Sequence, residues 1–321
     1  MVMYNAVTDV LGIKVGHFTD RKAATGCTVI LCERGAVAGV DVSGSSPGTR
    51  ETDLLRPGNS VERVQAIVLG GGSAFGLDAA TGVMKYLEER GFGYETSAGK
   101  VPIVPAAIVF DLNVGDSRIR PGANEGYQAC LAAANGRVAE GCVGAGTGAT
   151  VGKILGIGRA VKSGLGTASQ RIAGDVVVAA LVVVNAVGDV IEPGTGKILA
   201  GPRRPDGCGF LSTSELWKGG FEEAVPFSNT VIGVVATDAK MDKAELSKLA
   251  RVAQVGIART IDPCYTMYDG DALFTLSLGE KKADLTALGT AAAQVVAQAI
   301  VRAIRKAKTL AGVPAAKDVG K

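Results

Sequence analysis

The chain has 321 residues, 34 Lys and Arg against 31 Asp and Glu, a formal net charge of +3, and 47% hydrophobic residues. That length can bury most of its apolar surface as one large domain or two ordinary ones. So small a charge, with no basic stripe and no RNA-binding aromatic pattern, argues against nucleic-acid and membrane partners and leaves a small, near-neutral substrate as the default.

In chain order, the N-terminus MVMYNAVTDVLGIKVGH lacks a basic stretch followed by an apolar one. No signal peptide is therefore expected, and the cytoplasm is the expected compartment. Residues 28–32 and 64–70 read as strands, being short Val- and Ile-rich runs between turn residues. Residues 73–90 read as a helix, with Leu77, Ala80, Val83 and Leu87 in register. The regular βαβ rhythm of a doubly wound sheet is missing between 98 and 174. Strand character returns at 176–185, whose apolar run is far short of the roughly 20 residues that span a bilayer. Residues 193–227 are turn-rich and read as an exposed linker. A strand at 230–237 follows, then a helix at 242–259 with a capping-box start at Asp242 and Glu245, a strand at 273–278 and a long Ala-rich helix at 284–308. The class is α/β, and a layered sandwich fits better than a doubly wound sheet. The 45 glycines, about twice the usual ~7%, imply many turns and close backbone approaches.

Six cysteines (Cys27, Cys32, Cys130, Cys142, Cys208, Cys264) form no CxxC pair, and His17 is the single histidine. Buried reduced thiols are expected, Cys27 and Cys32 should face opposite sides of their strand, and neither metal nor cofactor is expected. A Ser-His-Asp or Cys-His device would have to use His17, which reads more readily as a structural residue. One base needs no histidine: a chain's own α-amine, whose ordinary pKa of about 7.7–8.0 lies near neutrality. Beside the hydroxyl of a first-residue threonine it makes a recognised nucleophile. Within a chain such a residue must be exposed by self-cleavage, and Ser228-Asn229-Thr230-Val231-Ile232-Gly233 is the best candidate, since a linker there gives way to a buried strand. Spacing alone favours a threonine that merely begins a strand.

SNTVIGVVATDAKMDKAEL followed by YTMYDGDALF, together with LGIKVGH, TGCTVIL, DVSGSSPGTRETDLL, LGGGSAFGLDAATGV, VPIVPAAIVFDL and GAGTGATVGK in that order, resembles the autoprocessed DmpA-type aminopeptidases. These include L-aminopeptidase/D-esterases, β-peptidyl aminopeptidases and nylon-oligomer hydrolases. The resemblance implies a four-layer αββα sandwich like that of N-terminal nucleophile hydrolases, a single domain over 1–321 cut into fragments 1–229 and 230–321, and a homotetramer or larger assembly. It implies hydrolysis of small amides, peptides or esters bearing a free amino group on the acyl side. Thr230 falls on the nucleophile, with the cut between Asn229 and Thr230. Asp269 and Asp271 fall on an acidic pair, Asn185 on an oxyanion donor and Lys153 on a lysine beside the nucleophile. Phe110 stands where a tyrosine is expected, and Tyr265 where many members carry a histidine. The glycine loop at Gly71, Gly72 and Ser73 runs into a helix and is read as close packing by the pocket, with backbone amides able to receive a substrate carboxylate. Two other readings stay open: an acyltransferase using the same threonine, as in ornithine acetyltransferases, and an uncut protein binding a small anion.

Overall fold

The computed structural model describes residues 3–221 and 229–320. Among the described residues, nine strands form one hydrogen-bonded sheet: β1 (Lys14–Asp20), β2 (Thr25–Val42), β3 (Thr49–Arg50), β4 (Arg63–Gly70), β5 (Ala106–Ile108), β6 (Leu165–Ile172), β7 (Val176–Asn185), β8 (Thr230–Ala239) and β9 (Ala272–Lys281). The order is β6-β7-β8-β9-β2-β4-β5-β3, with β1 paired to β2. The helices are α1 (Ala79–Glu88), α2 (Ala123–Leu131), α3 (Thr213–Lys218), α4 (Lys243–Ala253), α5 (Val255–Ala258) and α6 (Leu285–Lys306).

The path is continuous but lies in two layers, because the first half of β2 pairs with β1 and β4 while its second half pairs with β9. The register with β4 breaks between Leu31 and Ala36, where β2 passes from one layer to the other. Strand alternation then sorts the side chains. Val177, Ala179, Leu181 and Val183 of β7 enter a cluster with Ile30, Ile67 and Leu69 between the two sheets. Val176, Val178, Ala180 and Val182 face the other way, onto α4 and α6. Cys27, Val29, Leu31, Ala66 and Val68 pack on α1 and α2. The result is the expected four-layer αββα sandwich. A fully buried Val or Leu contributes about 1.5–3 kcal/mol of transfer free energy, so these continuous apolar strands hold the layers together.

Glycine allows the close approaches its abundance implied. A side-chain carbon on Gly82 of α1 would stand 1.7 Å from the Ala123 carbonyl oxygen, and one on Gly126 of α2 would stand 1.9 Å from that of Ala79. The two helices therefore pack backbone to backbone.

Several expectations need adjusting. The 73–90 helix begins as a 3-10 segment, Ser73–Asp78, and becomes α-helical only at Ala79. The strand at 28–32 is the core of a strand of 18 residues. The expected linker holds a strand, Ile198–Ala200, and α3, while its residues 222–227 lie outside the described residues. Cys27 and Cys32 do face opposite clusters, but Cys208 is exposed and Cys264 only half-buried, because both sit in loops. Helix α6 has the length and apolar character of a membrane span, yet Leu288, Ala292, Val295, Val296, Ala299 and Ile300 are buried against the neighbouring strands and α4.

This topology brings three strand ends to one edge. Asn185, the last residue of β7, is paired with Thr230, the first of β8, and β8 runs parallel to β9, which Asp271 immediately precedes.

Candidate active site

Thr230, Asn185, Lys153, Asp269, Asp271 and Asn229 are all buried. The Thr230 hydroxyl donates to the carbonyl oxygen of Asn229, the residue before it, and the Gly270 amide donates to the same oxygen at 2.9 Å. The Gly270 contact follows from a bridge between Asn229 and Asp269 that extends the parallel pairing of β8.

Asn185 is held at both ends of its side-chain amide. Its Oδ1 accepts from the Thr150 amide at 3.0 Å, and its Nδ2 donates to the Phe110 carbonyl oxygen at 3.0 Å. The carbonyl oxygen of Asn185 accepts from Lys153 Nζ at 2.7 Å. Lys153 comes from the loop after Thr150–Val151, itself tied to the turn after β7 by the Lys153 amide on the Val187 carbonyl at 3.1 Å.

The carboxylates are anchored by different groups. Asp269 Oδ2 accepts from the Thr266 amide at 2.9 Å and its hydroxyl at 2.6 Å, whereas Asp271 Oδ1 accepts from the Val231 amide at 2.6 Å. The 43–46 turn clasps their backbones, with the Ser46 amide on the Asp269 carbonyl and the Gly44 amide on that of Asp271, each at 3.0 Å.

Burial sets the proton affinities. It pulls Lys153 down to about 7, against the nearby charge of Asp269, and pushes Asp271 up to about 8, with the charge of Asp269 adding to the rise. Asp269 is also raised by burial. Asp271 and Lys153 thus compete for protons close to neutrality, and the two neighbouring carboxylates titrate as a unit.

The glycine loop packs as closely as expected, a side-chain carbon on Gly76 standing 1.8 Å from the Gly71 carbonyl oxygen. Its Gly71 amide donates to the Gly26 carbonyl at 2.9 Å, the Gly72 amide to Asp111 Oδ1 at 2.7 Å and the Ser73 amide to the Val109 carbonyl at 3.1 Å. These three donors are spent on the protein, so this part of the loop is a structural tie. Phe110 contributes its backbone oxygen to Asn185, and the residue lines a small pocket of about 30 Å³ with Thr150, Lys153 and Ile157. Tyr265 turns its hydroxyl to the Gln254 carbonyl at 2.6 Å. Gly270, Thr150, Thr266 and Asp111 belong to the site yet were not singled out by sequence. The only signals were adjacency, Gly270 inside DGD and Thr150 three residues before Lys153.

The model of peptidase family S58 matches residues 5–317. An uncharacterised aminopeptidase of Mycobacterium tuberculosis is 43% identical, covering 98% of this chain and 98% of its own. One of Mycobacterium leprae is 42% identical, over 97% of this chain and 92% of its own. A 6-aminohexanoate-oligomer endohydrolase of Paenarthrobacter ureafaciens is 30% identical, over 92% and 84%. Among solved structures, the L-aminopeptidase D-Ala-esterase/amidase of Ochrobactrum anthropi, described as a variant of the Ntn hydrolase fold, superposes with a TM-score of 0.72 at 22% identity, covering 97% of this chain and 88% of its own. A Burkholderia β-aminopeptidase gives 0.71 at 23% identity, covering 99% and 95%. These two likenesses establish the fold.

Proposed function

The chain belongs to peptidase family S58 and is a hydrolase acting on C–N bonds, and from that premise we propose that it breaks its own Asn229–Thr230 bond and then acts as an N-terminal-threonine aminopeptidase. One observation carries this reading: the Thr230 hydroxyl lies on the carbonyl oxygen of Asn229, with the Gly270 amide on the same oxygen.

In the self-cleavage, Thr230 Oγ1 adds to the Asn229 carbonyl carbon while the Gly270 N–H steadies the oxygen as it gains charge. The C–N bond then breaks. The hydroxyl proton passes through the trio Lys153, Asp269 and Asp271 to the departing nitrogen, which becomes the amine of Thr230. Water hydrolyses the ester between Asn229 and Oγ1, leaving a carboxylate on Asn229 and a free threonine at the new chain end.

In turnover the new amine takes the hydroxyl proton and Oγ1 attacks the substrate carbonyl. Asn185 Nδ2 donates to the resulting oxyanion, a contact of a kind worth about 2.7–4 kcal/mol. The leaving amine receives the proton, and water releases the acyl group. Asp269 and Asp271 favour the charged form of the Thr230 amine and Lys153 the neutral one, which keeps its proton exchangeable near neutral pH. The substrates are small amides, peptides or esters with a free amino group on the acyl side. Processed units assemble as a homotetramer or larger in the cytoplasm, which light scattering and fractionation would check.

The wild-type chain is expected to give two bands on a denaturing gel, one beginning at Thr230 by mass spectrometry, and Thr230→Ala a single full-length band. An intact wild-type chain that still hydrolyses amides would exclude the mechanism. Supplying amine acceptors separates hydrolysis from acyl transfer. An uncut wild-type chain would favour the anion-binding reading, which would have to do without the Gly71, Gly72 and Ser73 amides, already engaged within the protein.

A further inference from the structure

Asn185 can direct an N–H at an oxyanion only if its amide plane is fixed, and two backbone atoms fix it: the Thr150 N–H and the Phe110 carbonyl. Each belongs to a segment staked by a buried charged side chain. Lys162 is fully buried, and its Nζ donates to the carbonyl oxygens of Thr147 at 2.8 Å and Ala149 at 2.6 Å, so it grips the turn that ends at Thr150. Backbone pairing reinforces the grip, with Thr150 opposite Lys162 and the Ser163 amide on the Ala149 carbonyl at 3.0 Å. Asp111 follows Phe110 directly. Its carboxylate accepts from the Gly72 amide at 2.7 Å and the Thr25 hydroxyl at 2.8 Å, which pins the Phe110 segment to β2 and the glycine loop.

The two stakes meet on one residue. A side-chain carbon on Gly148 would stand 2.5 Å from Asp111 Cβ and 2.7 Å from its Oδ2. Asp111 therefore packs against the turn from one side, while Lys162 holds the flanking carbonyls of Thr147 and Ala149. Burial opposes the charge on both groups, and each charge partly restores the other. A lysine and an aspartate kept wholly inside a protein are costly, and neither touches the Thr230 cluster through any hydrogen bond described above.

We infer that Lys162 and Asp111 are positioning residues that set the orientation of the Asn185 amide from opposite sides of the 147–150 turn. The inference rests on the assignment of Asn185 as the oxyanion donor. Losing either stake lets the turn relax and rotates the donor away from its acceptor. Displacement of a catalytic group by about 1 Å costs on the order of 10²-fold in rate, so kcat should fall while ground-state binding stays.

The test is a double-mutant cycle on matured enzyme, with rates normalised to the fragment beginning at Thr230. Lys162→Met, close to lysine in volume, and Asp111→Asn are each expected to lower kcat on a small aminoacyl amide about 10²-fold with KM within about twofold. In an Asn185→Ala background the same changes should cost less than about threefold, because the group they orient is gone. If Asn185→Ala leaves kcat intact, the oxyanion assignment itself fails. If Asn185→Ala is slow and Lys162→Met or Asp111→Asn multiplies its full loss on top, positioning is overturned while the donor role stands. Failure of both variants to fold and mature would likewise overturn it, leaving a purely structural role.

Discussion

At position 270 a side-chain carbon would stand 2.4 Å from the Ser46 carbonyl oxygen and 3.0 Å from the Thr230 hydroxyl. Gly270→Ala must therefore shift the amide that faces the Asn229 carbonyl or displace the nucleophile. Losing one such donor typically costs 10²–10³ in rate, so self-cleavage should slow about 10²-fold. A gel time course after a synchronised start of synthesis reads this directly, and cutting at the wild-type rate would remove Gly270 from the oxyanion site. Sequence pointed to Thr230, Asn185, Lys153, Asp269 and Asp271 through the family resemblance, and the fold gathers them at one edge of the sandwich. Of the groups that escaped, Gly270 and Thr150 act through their main-chain amides, while Thr266 and Asp111 act through side chains whose partners only the fold supplies. A backbone atom has the same chemistry in every residue, so nothing in the letters marks it. The tie at the glycine loop was hidden because the partner that occupies its Gly72 amide, Asp111, lies 39 residues further on.

Elements were legible where their signals were local. The helix start at Asp242 is one case: its carboxylate accepts from the Glu245 amide at 2.8 Å, and Glu245 accepts from the Asp242 amide at 3.0 Å. Asp242→Ala should cost about 1 kcal/mol, lowering the melting temperature by about 2–4 °C in scanning calorimetry. No change would mean that tertiary packing of α4 alone fixes where the helix begins. Longer-range elements were less legible. The full span of β2 was hidden by Glu33, Arg34 and Gly35, which interrupt its apolar pattern at the crossing between layers. Strand β6, LGTASQRI, has few apolar residues, and helix α2 is short and contains a glycine that exists only to let α1 approach. In each case the residues answer to a neighbour distant in sequence, which local periodicity cannot register.

For the molecule as a whole, buried charges tie stability to pH in a way that ordinary surface groups do not. Asp271 is raised to about 8 and Asp189, buried beneath Thr213, to about 7. A carboxyl with a raised folded pKa keeps its proton longer in the folded state, so its contribution is lost as pH climbs from about 4 through the folded value. Lys153 and Lys162, lowered to about 7 and about 8, act in the opposite sense. They shed protons first in the folded state, so stability recovers from about pH 7 up to the unfolded lysine value near 10.4. His17, lowered to about 4 by burial, opposes the carboxyls below about 6.5, but it is one group against two and drops out above that pH. Above about pH 8 the thiols of Cys27, Cys32, Cys130 and Cys264, all raised by burial, keep their protons in the folded state and offset the lysines' recovery. The sum is a stability that falls from about pH 5.5 to about pH 7 and gains little above it. Uncut Thr230→Ala protein is the form to test, since it keeps the intact bond and the buried cluster. Its melting temperature, scanned from pH 5.5 to 7.5, should fall, and Asp271→Asn should flatten that descent. A curve that rises steadily from pH 5.5 to 7 would mean that the carboxyls ionise freely in the folded state, and the close competition for protons around Thr230 would not exist.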